Sequence, residues 1–119
     1  MKILIVDDDQ RIRQMIKTIL AGDEVIICEC SNGAEAYACY AEQQPDWVLM
    51  DITMPGVDGL AATRSIKANY REARILIVTS HESHAMREAA REAGACGYVL
   101  KENLLDLREV VQKHEALAA

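Results

Sequence analysis

Hydrophobic residues along this chain form five short, continuous runs that are separated by longer stretches of mixed polarity. Runs rich in leucine and β-branched residues are typical of strands that helices cover on both faces. The runs predict five strands, at residues 3–6, 25–28, 47–50, 75–78 and 98–100.

The stretches between these runs carry apolar residues at helical spacing, most clearly Ile12, Met15, Ile16 and Ile19. Helix breakers and capping residues mark their limits. The first helix is predicted to end at Gly22, and the second to begin at the Ser31-Asn32-Gly33 turn and to stop before Pro45. The third helix is predicted at residues 60–68 and the fourth at residues 83–93. The last helix is predicted to follow Asn103, which would cap it. Strands that alternate with helices over short links predict one α/β domain, with a doubly wound five-stranded parallel sheet and right-handed crossovers.

Length and charge narrow the class of protein. At 119 residues, half of them hydrophobic, the chain can bury one core, so we expect a single domain over residues 1–119 without an output domain. Thirteen Lys and Arg against nineteen Asp and Glu give a net charge of -6. This is the wrong sign for covering a phosphate backbone, so no direct nucleic-acid binding is expected. The apolar run after Lys2 is too short for a signal sequence or a membrane span, which predicts a cytoplasmic protein without membrane contact.

The four cysteines, Cys28, Cys30, Cys39 and Cys96, include no CxxC pair, and no histidines stand at zinc-finger spacing. They lie within apolar patterns, so we interpret them as small buried hydrophobic residues in a reduced cytosol. A disulfide is the alternative that the sequence leaves open.

Polar side chains follow four of the five predicted strands. They are Asp7 and Asp8, Asp51, Thr79 and Lys101. Because the carboxyl ends of parallel strands meet at one edge of a sheet, these side chains are expected to converge there, where open α/β sheets do their chemistry. Each one has a plainer interpretation as a turn cap, a helix-terminal carboxylate or a solvated lysine. The convergence favours a shared site.

The motifs at these positions identify a family resemblance. The chain resembles the receiver domain of two-component response regulators, in order and over essentially its whole length. The resemblance is carried by Asp7-Asp8 after the first strand, the segment LMDITMPGVDGL around Asp51, the segment ILIVTS that contains Thr79, and the segment GYVLK that ends at Lys101. The resemblance implies the flavodoxin-like (βα)5 fold with strand order 2-1-3-4-5. It also implies a signalling domain, not an enzyme, that takes a phosphoryl group from a sensor histidine kinase or phosphotransfer protein. The face formed by the fourth helix, fifth strand and fifth helix would then switch and control an output, including a DNA-binding domain outside this chain.

The resemblance also assigns the acidic residues. Asp51 would be the phosphoacceptor, and Asp8 and Asp51 would bind Mg²⁺ (or Mn²⁺) directly. Asp7 would act through a metal-bound water, and the backbone carbonyl of Thr53 would complete the protein ligands. Clustered carboxylates repel one another when ionised, which raises the pKa of at least one of them. A divalent cation that binds their oxygens neutralises this repulsion. Asp9 is left with a structural role at the helix start.

The remaining site residues follow the same pattern. Lys101 would pair with Asp51 and later with a phosphoryl oxygen, and the Thr79 hydroxyl would bind another. Tyr98 resembles the switch aromatic of the family, which moves from an exposed to a buried position; the alternative is a half-buried strand tyrosine with a wet hydroxyl. Thr53 and His81 resemble the positions that tune the phosphoryl lifetime, although a solvated loop histidine is the plainer interpretation of His81.

One departure concerns the peptide bond after the lysine. Many family members have proline there, often after a cis bond, whereas this chain has Glu102. A non-proline cis bond costs roughly 2.5–4 kcal/mol, so a trans bond or a strained loop is expected.

Three other classes compete with this interpretation. A haloacid dehalogenase phosphatase would need a second Asp two residues after Asp51, where this chain has Thr53, and a longer chain for its cap domain. A nucleotide- or flavin-binding domain would need GxGxxG after the first strand, and the acidic cluster would repel its phosphate. A receiver-like interaction module that works without phosphorylation is the third alternative, against which the intact set of site residues argues.

Overall fold

The computed structural model describes residues 1–22 and 24–118, with side chains described up to residue 114. In this part of the chain the strands are β1 (Lys2–Val6), β2 (Ile26–Cys30), β3 (Trp47–Met50), β4 (Ile75–Thr79) and β5 (Gly97–Leu100). The helices are α1 (Gln10–Leu20), α2 (Gly33–Gln43), α3 (Gly59–Asn69), α4 (His84–Ala93) and α5 (Leu107–Ala118), with a 3₁₀ segment at Lys101–Asp106 before α5. All paired strands are parallel, in the order β2-β1-β3-β4-β5. The predicted fold class and strand order are confirmed.

Two hydrophobic clusters, one on each face of the sheet, form the core. Alternate residues of a strand point to opposite faces, and β1 places Leu4 and Val6 in one cluster and Ile3 and Ile5 in the other. The first cluster packs under α2, α3 and α4, and the second packs under α1 and α5. The central strands are therefore buried on both sides, which explains their continuous apolar runs.

The segment after β5 differs from the sequence-based prediction. Asn103 does not cap the last helix; it lies inside the 3₁₀ segment with φ -117° and ψ 32°, and α5 begins only at Leu107. Leu104 and Leu107 are both buried. A 3₁₀ helix brings residues three apart onto the same side, so this winding lets both leucines reach the core.

Two expectations about strand and helix limits are also corrected. The second strand begins one residue later than predicted and extends to Cys30, and α1 ends at Leu20 with Ala21, not Gly22, at its cap.

All four cysteine thiols are free, but Cys96 is exposed, so its interpretation as a buried hydrophobic residue is wrong. It precedes β5 in a bend at the surface.

Side-chain caps begin four of the helices. Asp9, Asn32, Asp58 and Ser83 each accept a hydrogen bond from a backbone N–H in the first turn of the helix that follows. The structural role expected for Asp9 is thus confirmed. Such caps satisfy backbone donors that have no partner within the helix.

An arginine ties the last helix to the first. Arg108 of α5 donates to the carbonyl oxygens of Ile19 and Ala21 at 2.8 and 2.9 Å, at the end of α1. Leu107 and Val111 on either side of Arg108 are buried. The first turns of α5 are therefore held both by packing and by hydrogen bonds.

None of the helices in the described part of the chain is long and apolar enough to cross a membrane.

Candidate functional site

Backbone pairing continues one residue beyond the strands and brings two aspartates together. The Asp7 N–H donates to the Cys30 carbonyl at 3.1 Å, and the Asp51 N–H donates to the Val6 carbonyl at 2.9 Å. Because β1 and β3 are neighbours, their terminal residues lie side by side. Asp7 is only 2% exposed and Asp51 only 3%.

A third carboxylate completes an acidic cluster at this edge. Asp7, Asp8 and Asp51 each offer one oxygen, and these oxygens all lie within 4.8 Å of one another. Asp8 is exposed, whereas the other two are buried. The cluster thus has one side open to solvent, and it contains the three aspartates predicted to serve the metal.

Lys101 lies between the two buried carboxylates. Its Nζ is 3.0 Å from Asp7 Oδ2 and 3.4 Å from Asp51 Oδ1. The predicted pairing with Asp51 is present, and the nearer partner, Asp7, is one that the sequence does not predict. The bond from Lys101 to Glu102 is trans, as expected without proline.

Burial and charge act in opposite directions on these groups. The pKa of Asp51 is raised to about 6, chiefly by burial and then by the charge of Asp7, while Lys101 opposes both effects. For Lys101, burial lowers the pKa, but the hydrogen bond to Asp7 and the charge of Asp51 outweigh it, so the pKa is raised overall. Lys101 therefore offsets only part of the effect of burial on the Asp51 carboxylate.

The donor set fits a hard divalent cation. Mg²⁺ binds oxygen ligands at roughly 2.0–2.1 Å in an octahedron, which places opposite ligands about 4 Å apart and adjacent ones about 3 Å apart. The carboxylate spacing is compatible with this after small side-chain adjustments, and the exposed side at Asp8 leaves room for water ligands. Thr53 is exposed in the loop after β3, and its backbone hydrogen bond lowers the pKa of Asp51. A ligand role for its carbonyl stays a prediction.

The loop after β4 links Thr79 to Tyr98 through His81. Thr79 is fully buried, and its hydroxyl oxygen accepts a hydrogen bond from the His81 N–H at 3.3 Å, which leaves the hydroxyl proton free to be donated. The Tyr98 hydroxyl donates to the His81 carbonyl at 2.5 Å, and its half-buried ring packs against the core cluster under α4. The tyrosine hydroxyl thus has a protein partner in this arrangement.

Sequence reasoning missed two arginines near the site. The Arg13 guanidinium donates to the Asp7 carbonyl at 2.6 Å and to Glu29 Oε1 at 3.0 Å, tying the loop after β1 to β2. Arg87 lies over the Tyr98 ring, 4.6 Å from its centroid. In the sequence, neither differs from the other arginines on the polar sides of α1 and α4, so no pattern identifies them.

The comparisons with known proteins agree with this arrangement. Residues 3–113 match the response regulator receiver domain family, and the chain belongs to it. This is a family of signalling domains in two-component systems, and the chain carries an acidic cluster that could hold a metal ion.

Individual relatives place the chain within that family. Chemotaxis protein CheY of Bacillus subtilis (strain 168) is 44% identical over 102 residues, which are 84% of each protein. Transcriptional regulatory protein ResD of the same strain is 37% identical over 116 residues, which cover 98% of this chain and 47% of ResD. The crystal structure of a LuxR-family two-component response regulator from Aurantimonas sp. SI85-9A1 superposes with a TM-score of 0.84 at 41% identity, covering 98% of this chain and 83% of that one. The chain thus spans most of CheY but about half of ResD.

Proposed function

We propose that this chain is a phosphorylatable receiver, in which Asp51 accepts a phosphoryl group from a phosphohistidine of a sensor kinase or phosphotransfer protein. The observation that carries the proposal is the Lys101 ammonium shared by two buried carboxylates, Asp7 and Asp51, beside the exposed Asp8. A purely structural ion pair would need one carboxylate for one lysine. Three clustered carboxylates with one ammonium, which contacts two of them, leave excess negative charge, and this suits a site that also takes a divalent cation.

The chemistry assigned to the chain is a nucleophilic substitution at phosphorus. An Asp51 carboxylate oxygen forms a bond to phosphorus while the bond from phosphorus to the imidazole nitrogen breaks and leaves its electron pair on that nitrogen. From a phosphohistidine whose ring is protonated at the other nitrogen, the products are an aspartyl phosphate and a neutral histidine. Lys101 pairs with a phosphoryl oxygen, and the Thr79 hydroxyl donates its free proton to another. Bound at Asp7, Asp8, Asp51 and the Thr53 carbonyl, Mg²⁺ (or Mn²⁺) would neutralise the carboxylates and the phosphoryl oxygens.

The proposed consequence is a shift between two arrangements of the face formed by α4, β5 and α5. Movement of Thr79 toward the phosphoryl group would draw the His81 loop with it, because the His81 N–H is bound to the Thr79 hydroxyl. That loop also holds the Tyr98 hydroxyl. Phosphorylation would thereby favour a buried Tyr98 and change what the face binds, including a second copy of the chain. Thr53 and His81 are the proposed positions that tune how long the phosphoryl group lasts.

The test is phosphorylation by a small donor. We expect acetyl phosphate with Mg²⁺ to add one acid-stable, base-labile phosphoryl group, which intact-mass spectrometry detects, and we expect Asp51→Asn to prevent it. Asp9→Asn is the matched control because asparagine caps a helix about as well as aspartate. Labelling that persists in Asp51→Asn, or that proceeds fully in EDTA, would contradict the site.

An interaction module that works without phosphorylation is the second candidate, and the same experiment separates the two. If Asp9→Asn and the unmodified protein both stay unlabelled with Mg²⁺ and donor, the interaction module is the better assignment. Light scattering with and without beryllofluoride then tests whether a second copy binds in response to the phosphoryl analogue.

A further inference from the structure

A group on α4 covers the Tyr98 ring from outside. The Arg87 guanidinium lies 4.6 Å from the ring centroid. Its Nε and one terminal nitrogen each donate to a different oxygen of Glu82, both at 3.0 Å. The plane of the guanidinium is thus fixed by a two-pronged ion pair while it lies against the aromatic ring, a geometry that lysine cannot reproduce.

The ion pair and the tyrosine are connected through the backbone of the β4–α4 loop. Glu82 directly follows His81, whose carbonyl accepts the Tyr98 hydroxyl and whose N–H binds the Thr79 hydroxyl. The ring therefore contacts both the core cluster and Arg87, and its hydroxyl is bound to the His81 carbonyl. An outward movement of Tyr98 would have to break both the hydroxyl bond and the contact with Arg87.

We propose that Arg87, held by Glu82, is a positioning residue that stabilises the inward arrangement of Tyr98 and so makes the receiver easier to activate. The inference rests on the proposed function, because it assumes that the phosphoryl group favours the same inward arrangement. Whatever stabilises that arrangement then also increases the affinity for a phosphoryl analogue, since coupling between two sites is reciprocal.

The expected size of the effect is modest. A cation–π contact at an exposed position contributes about 0.5–1 kcal/mol, which corresponds to an approximately twofold to fivefold change in an equilibrium constant. Because Arg87 is exposed and packs in no core, its replacement should leave the fold intact.

The test is a beryllofluoride titration in Mg²⁺ of the full chain and its variants. We expect Arg87→Met to bind beryllofluoride about twofold to fivefold more weakly and Glu82→Gln to be weakened in the same direction. Arg87→Lys, which keeps the charge, should recover part of the loss. Arg91→Met is the matched control, because Arg91 is one turn further along α4 and pairs with Glu88 at 2.6 Å. It should bind like the unmodified protein.

A second measurement needs no phosphoryl analogue. In ¹³C-tyrosine-labelled protein, Arg87→Met should shift the Tyr98 ring signal toward that of an exposed tyrosine, whereas Arg91→Met should not. Equal beryllofluoride affinity of Arg87→Met and Arg91→Met overturns the inference while the proposed function stands. If the unmodified protein fails to bind beryllofluoride, the proposed function fails. The ring signal then decides separately whether Arg87 holds Tyr98, and an unchanged signal overturns that role.

Discussion

Asp51 is a carboxylate whose ionised form is destabilised by folding. Its pKa is raised from 3.8 to about 6, first by burial and then by the charge of Asp7, against the opposing charge of Lys101. For an acid with a raised pKa in the folded state, the unfolded chain ionises first as the pH rises. The folded protein therefore loses stability between about pH 4 and pH 6, and the full cost is present above that range.

Replacing this carboxylate should stabilise the metal-free protein. At pH 7 in EDTA we expect Asp51→Asn to raise the free energy of unfolding by about 1–3 kcal/mol, because one pKa unit corresponds to about 1.4 kcal/mol. At pH 3 the difference should nearly vanish, since both states of the unmodified protein are then largely protonated at Asp51. Urea unfolding at the two pH values measures this. A variant less stable than the unmodified protein at pH 7 would contradict the assignment of a buried charge.

Lys101 occupies the carboxylates that the proposed cation would use. Its removal by Lys101→Met should therefore have two opposite effects. The metal-free protein should lose about 3–5 kcal/mol of stability, because two buried carboxylates lose their counter-charge. Its affinity for Mg²⁺ should rise, because no ammonium competes for the same oxygens. Urea unfolding and calorimetric Mg²⁺ titration measure the two effects, with Lys17→Met as the control because Lys17 pairs with Glu29 on the surface. Weaker Mg²⁺ binding by Lys101→Met would show that the two cations do not compete.

Among the elements, the start of α3 constrains the site most directly. A Cβ added at Gly59 would lie 1.9 Å from the backbone carbonyl oxygen of Asp51 and 2.7 Å from its carbonyl carbon. The Gly59 N–H also donates to the Ile52 carbonyl at 2.9 Å. The first turn of α3 therefore rests on the backbone that follows β3.

Gly59→Ala should consequently damage both stability and phosphorylation. We expect a loss of at least about 1–3 kcal/mol, the usual cost of overpacking, and slower labelling by acetyl phosphate because the Asp51 backbone must move. Gly22→Ala is the control, because its Cβ would meet only Val25 Cγ2 at 3.7 Å. Thermal unfolding and labelling rates of the two variants test this. If Gly59→Ala and Gly22→Ala have the same thermal stability and labelling rate, the backbone after β3 can move to admit the added Cβ without loss of stability, which would contradict the prediction.

The elements also show what sequence can predict and why. The strands β1, β3 and β4 are buried on both faces, so their continuous apolar runs identify them. The edge strand β2 is partly open to solvent, with Ile26 60% exposed. Its pattern of apolar and polar residues is therefore mixed, and the predicted limits of this strand differ from the observed ones. The 3₁₀ segment depends on the distance from Leu104 to the core, which no local pattern encodes.

The same distinction applies within the site. Asp7, Asp8, Asp51 and Lys101 follow strands, so the parallel topology alone brings them to one edge. Contacts such as Arg87 on Tyr98 depend on how closely α4 lies against β5. They arise from tertiary packing and cannot be found from residue spacing.

In the molecule as a whole, the two sides of the proposed switching face are held differently. The first turns of α5 are fixed by buried Leu107 and Val111 and by the hydrogen bonds from Arg108 to α1. The start of α4 is joined to the exposed His81–Glu82 loop. A change that begins at Thr79 should therefore move α4 and its loop while α5 stays in place.

Hydrogen exchange can locate this change. On addition of beryllofluoride with Mg²⁺ we expect the amides of residues 80–87 to change their exchange rates, with little change in residues 107–113. Arg108→Met serves as the comparison and should extend the change into α5, because it removes the hydrogen bonds to α1. Equal changes in both segments of the unmodified protein would contradict the anchoring of α5.

The contact between Gly59 and Asp51 also determines which mutations a second mutation can repair. At Gly97 an added Cβ would meet the Leu76 side chain at 2.6 Å, so a smaller residue at position 76 could restore the space. At Gly59 it would meet backbone atoms, which every amino acid shares. A genetic screen for second-site suppressors should therefore recover revertants of Gly97→Ala at position 76, whereas no replacement at position 51 can make room for Gly59→Ala. In descendants of this sequence, the start of α3 and the loop after β3 should therefore change only together.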